Sequence, residues 1–70
     1  MDEEKLNLSI RKFLKGVGIN SQRIIENKVR NLVNENQIDK SLRAKVTVKV
    51  VSPDLDINED INGEIEIEIN

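Results

Sequence analysis

Ser9-Ile10-Arg11-Lys12-Phe13-Leu14-Lys15-Gly16-Val17-Gly18-Ile19-Asn20-Ser21-Gln22-Arg23 is the stretch whose reading decides the fold. Upstream of Gly18, Leu6, Ile10, Phe13, Leu14 and Val17 form one stripe on a 3.6-residue period, with Arg11, Lys12 and Lys15 on the other side. Asp2 is placed to cap this helix, and Glu3 and Glu4 suit the positive end of its dipole. Gly18 is a residue type that often adopts the left-handed conformation ending a helix. With Asn20 or Ser21 as the next cap, Ile19 and Ile24 take the staple positions of a second helix. Its stripe is Ile25, Val29, Leu32 and Val33. The expectation is a helical hairpin, with one helix over about 3–17 and another over about 21–36.

Downstream the repeat shortens. Asn36-Gln37-Ile38-Asp39-Lys40-Ser41 is a polar connection that Ile38 would pin to the core. Ala44, Val46, Val48 and Val50 then alternate with Lys45, Thr47 and Lys49, the signature of a half-buried strand over about 43–51. Ser52-Pro53-Asp54 is a turn signal. Beyond it Leu55, Ile57, Ile61, Ile65, Ile67 and Ile69 all occupy odd positions.

Asn62-Gly63 resembles a two-residue hairpin turn, but such a turn would place the isoleucines of one arm on the face of the other arm's glutamates. A one-residue slip inverts a strand's faces. The parity therefore favours a single antiparallel pair whose second strand, about 55–69, is long or interrupted near Asn58–Gly63. Lys45 and Lys49 would face Glu64, Glu66 or Glu68 across it. The fold class expected is α+β: a two-layer α-α-β-β arrangement, helical hairpin on a small antiparallel sheet, in a single domain over 1–70.

Composition narrows the chemistry. The 70 residues include no Cys, no His, no Trp and no Tyr. That removes disulfides, thiolate metal sites, the usual zinc ligand, the usual general base and any aromatic platform for single-stranded nucleic acid. Neither a catalytic residue nor a cofactor or metal ligand set emerges, and an enzyme is not expected. No apolar run approaches the roughly 18 residues of a membrane span, and Met1-Asp2-Glu3-Glu4 lacks the basic start of a secretory signal. A cytoplasmic protein without membrane association is the expectation.

Charge is segregated. Lys5 to Arg30 holds seven bases against the single acid Glu26, whereas Pro53 onward holds seven acids and no base. Arg11, Lys12, Lys15, Gln22, Arg23 and Arg30 form the candidate interaction surface. A solvated face is the plain alternative. Two further readings compete. Helices one and two, with Gly18 at the corner and Gln22, Arg23, Asn27 and Arg30 outward, would make a helix-turn-helix DNA reader. Leu14 and Asn27 fit that motif poorly, and the acidic half would repel phosphate. Asp54-x-Asp56-x-Asn58-x-Asp60 has the opening spacing of a calcium loop, but Glu59 and Ile65 stand where Gly and Glu are needed.

The N-terminal residues Ser9-Ile10-Arg11-Lys12-Phe13-Leu14-Lys15, then Val17-Gly18, Ser21-Gln22-Arg23, Ile25-Glu26 and Val29-Arg30, resemble a family of short bacterial proteins of unknown function. Ala44-Lys45 and Asn62-Gly63-Glu64-Ile65 extend the resemblance over nearly the whole chain. It implies no activity and no site residues. A short core, open sheet edges and segregated charge point to a protein-interaction or self-association module, as a homodimer or docked on another protein.

Overall fold

The computed structural model describes residues 1–69 and contains a helix, α1 (Glu3–Asn34), followed by two strands, β1 (Leu42–Ser52) and β2 (Ile57–Ile67). The chain divides into two compact units, Met1–Gln37 and Ile38–Asn70.

The expected helical hairpin is not what forms. α1 runs 32 residues without interruption through Gly16-Val17-Gly18-Ile19-Asn20, a length of about 48 Å. No glycine has positive φ, so Gly18 is an ordinary helical residue and Asn20 and Ser21 cap nothing. The reason lies in the phase of the apolar residues. Phe13 and Ile24, and likewise Leu14 and Ile25, are eleven apart. That is three turns at about 3.67 residues each, so an unbroken helix keeps these four on one face, while Val29 and Val33 of the expected second stripe turn to the side of Arg11 and Lys15. A corner would have served two shorter stripes, and the sequence supports either arrangement until the continuous phase is noticed. Phe13, assigned to the interior of the hairpin, is 68% exposed.

The ends of α1 are chemically specified. Asp2 is extended and accepts a hydrogen bond through Oδ1 from the Lys5 N–H at 3.1 Å, satisfying one of the orphan donors of the first turn. At the other end Asn36 takes φ 59°. The Asn36 N–H then reaches the Val33 carbonyl at 3.1 Å, and the Gln37 N–H reaches that of Leu32 at 2.8 Å. This is a Schellman stop with Asn in the left-handed position.

The second unit is one antiparallel hairpin with Leu42 opposite Ile67, Ala44 opposite Ile65, Val48 opposite Ile61 and Ser52 opposite Ile57. β2 passes straight through Asn62-Gly63, where Gly63 lies opposite Val46. One face thus collects Leu42, Ala44, Val46, Val48 and Val50 with Ile57, Ile61, Ile65 and Ile67, and Glu59 shares it opposite Val50. Ile67, 8% exposed, is the buried apolar side chain among the described residues. Pro53–Asp56 makes the connection: the Asp56 N–H meets the Pro53 carbonyl at 3.4 Å, the Leu55 N–H meets Ser52 Oγ at 3.3 Å, and Asp56 takes φ 52°. Past the open end of the ladder, Ser41 Oγ accepts from the Ile69 N–H at 2.7 Å.

The opposite face of the hairpin is polar and largely self-satisfied. Arg43 pairs with Glu66 at 2.8 Å and Glu64 at 3.9 Å, Lys49 pairs with Asp60 at 3.8 Å, and Thr47 donates to Asn62 Oδ1 at 2.8 Å. Lys45 stands opposite Glu64 in the register, but Glu64 is reached by Arg43. All these pairs are exposed, and each contributes at most about 1 kcal/mol.

Candidate functional site

On a helix advancing about 100° per residue, Arg11, Lys12, Lys15, Gln22, Arg23 and Arg30 fall within an arc of about 120°, over about 29 Å of axis. One continuous α1 therefore gathers the candidate residues on one side, and all are exposed. They are not equivalent. The Gln22 side-chain amide donates to Glu26 Oε1 at 2.6 Å, while Arg30 donates to Glu26 Oε2 at 2.8 Å and to Asn27 Oδ1 at 3.3 Å. These spacings of three and four residues are the ones at which helical side chains meet. The Gln22 hydrogen bond, and after it that of Arg30, lowers the Glu26 pKa from its usual 4.5 against the opposing effect of desolvation. Arg11, Lys12, Lys15 and Arg23 make no ion pair among the described residues. They remain available to an anion.

The other side of α1 is apolar. Around Gly16 the missing side chain leaves a shallow open groove lined by Phe13, Val17 and Ile24, with Ser9, Asn20 and Ser21, and reached at its edge by Lys12 from the basic side. Most of the surface it exposes is apolar, and among the described residues no hydrogen bond joins Ser9 or Ser21 to a base.

The two alternative sites change shape. The helix-turn-helix reading needs a corner at Gly18, and no corner exists there. The residues of the calcium reading are split between the turn, which holds Asp54 and Asp56, and β2, which holds Asn58 and Asp60. Asp60 is already paired with Lys49. Among the described residues no group of three or more acidic side chains is arranged to hold a metal ion. None of the described helices is long and apolar enough to cross a membrane.

Glu26 as the hub of the Gln22–Arg30 ladder and Arg43 as the main cross-strand cation were not among the residues expected from the sequence. The first was signalled by the spacing Gln22, Glu26, Arg30, four residues each. The second follows only from the register, which pairs Arg43 with Glu66. Comparison with curated proteins and with solved structures gives no significant match to either. Comparison with family models does give one, spanning both units and covering residues 1–68, so the chain belongs to the family of unknown function DUF6494.

Proposed function

We propose that this protein is a non-enzymatic association module, working as a homodimer or as a component docked on a larger protein through α1. The observation that carries this reading is the apolar half of the helix. Phe13 is 68% and Ile24 69% exposed, and Leu6, Ile10 and Leu14 on the same side are exposed as well. Scattered exposed apolar side chains are normal, as Leu8 and Ile19 are here, but a contiguous stripe marks a surface that is covered in use. Helix physics agrees. Gly16 and Gly18 each cost about 1 kcal/mol relative to Ala, and most helical stability in proteins comes from packing an amphipathic face.

Catalysis has less to draw on. The sequence has no His and no Cys. Glu64 and Glu66 lie on the outer face of the hairpin, where exposed pairing with Arg43 gives them no acid/base division of labour.

The test is affinity capture from native lysate with the tagged chain and with a Phe13→Glu, Ile24→Glu variant. The reading expects proteins, the chain itself included, that the wild type retains and the variant loses. Identical retention by both would refute it.

A further inference from the structure

The geometry points to a second copy of this chain as the occupant of the apolar face, in an antiparallel pair that sets Glu3 of each copy against Lys28 of the other. This rests on the association reading and names its partner.

Taking the stripe's centre near Val17 and advancing about 100° per residue, the half-cylinder within about 90° of that centre holds, from residue 6 to residue 27, Leu6, Asn7, Ser9, Ile10, Phe13, Leu14, Val17, Asn20, Ser21, Ile24, Ile25 and Asn27. Every base and acid between Lys5 and Glu26 lies on the other half. Only two charged residues of α1 fall on the apolar half, Glu3 at one end and Lys28 near the other. Neither makes an ion pair among the described residues. A parallel pair of helices would set Glu3 beside Glu3 and Lys28 beside Lys28 at the margin of a dry seam. An antiparallel pair places opposite charges together at both ends, by the two-fold symmetry that makes such contacts self-complementary.

That one pairing fixes the whole register, and the register packs. With Glu3 level with Lys28, Leu6 comes level with Ile25, Ile10 with Ser21, and Leu14 with Val17. Asn20 and Ser21 at the seam are uncharged polar residues of the sort that fix register in paired helices.

The area is adequate. From Glu3 to Lys28 the helix is about 37 Å long, and half a cylinder of radius about 5–6 Å over that length is roughly 600–700 Å². Two copies together bring about 1,300 Å², at the lower end of the roughly 1,200–2,000 Å² that stable specific interfaces bury. An anionic lipid surface would also take an apolar stripe backed by bases. It gives no account of an acid and a base set on the stripe 25 residues apart.

Sedimentation equilibrium on the full chain at low ionic strength tests the pairing, with Lys28→Glu alone and with Glu3→Lys, Lys28→Glu together. Glu4 keeps an acid in the first turn throughout. The wild type is expected to dimerise. Lys28→Glu, which turns two attractions into two repulsions, should raise the dissociation constant about ten-fold or more, and the double reversal should restore it to within about three-fold. Chains carrying Leu14→Cys, mixed with chains carrying Val17→Cys, should cross-link on mild oxidation faster than either alone. A dimer indifferent to Lys28→Glu, or not restored by the double reversal, overturns the register. A chain monomeric at all concentrations that binds vesicles of anionic phospholipid, or binds nothing, overturns the second copy as occupant. In that case, stripe-dependent capture of a different protein leaves the association reading standing, and its absence removes both.

Discussion

The hairpin and the helix are similar in size but differ in how far each specifies itself. In Leu42–Ile67 the alternation has period two, the partner strand comes from the same chain, and Arg43, Lys49 and Thr47 find their partners across the ladder. Slipping it by one residue would set isoleucines among glutamates, so the pattern permits one register. In Glu3–Asn34 the backbone is satisfied internally, the ends are capped, and Glu26 is held by its own neighbours. Nothing inside α1 decides what its apolar side meets. A strand pair is specified by its partner, whereas a helix is specified by itself and leaves its partner open.

That contrast breaks most visibly at Ser21. Were there two helices with Asn20 as cap, residue 21 would be the first helical position, where Pro is favoured. In a continuous helix Ser21→Pro removes an interior hydrogen bond and costs about 3 kcal/mol. The expectation is a large loss of ellipticity at 222 nm; unchanged helicity would restore the corner.

Asn36 sharpens the helix's end. Its φ of 59° is hard for a β-branched residue, so Asn36→Val should destabilise the Schellman stop by about 1–2 kcal/mol. Asn36→Gly should be neutral or slightly stabilising. Thermal midpoints of the two variants check this, and equal midpoints would contradict the cap.

On the hairpin side Arg43→Ala removes both exposed pairs to Glu64 and Glu66 and should cost at most about 1 kcal/mol, less in high salt. A loss well beyond that would mean that Arg43 does more than close the polar face.

The smallest effect concerns Glu26. Its pKa lies below the usual 4.5 because Gln22 and then Arg30 bond its carboxylate. A depressed carboxylate contributes stability above its unfolded value and loses it as pH falls through the folded one. Helicity followed from about pH 6 to about pH 3 should therefore carry a component, titrating below 4.5, that Glu26→Gln lacks. Superimposable titrations would argue against the ladder.

Much of the hairpin was legible in the sequence because parity over eleven-residue strands leaves few alternatives. The Asp2 cap was legible for the same reason: one residue type, one place, one job. The break at Gly18 was misread because glycine permits a left-handed stop without requiring one. The deciding information, the eleven-residue spacing of Phe13 with Ile24 and Leu14 with Ile25, lies on both sides of the supposed corner. The candidate surface was legible as a set of residues but not as an array, since only an unbroken helix brings Arg11 and Arg30 to one side. The Glu26 bonds depend on rotamers that spacing allows but does not fix.

The most direct test of one continuous helix is a distance. The chain has no cysteines, so Glu4→Cys and Asn34→Cys take spin labels cleanly, and dilution into excess unlabelled chain isolates the distance within one molecule. Thirty residues of unbroken helix place the labelled backbones about 45 Å apart. A hairpin of two packed helices would bring them to roughly 10 Å, and a dominant short distance in the diluted sample would contradict the account.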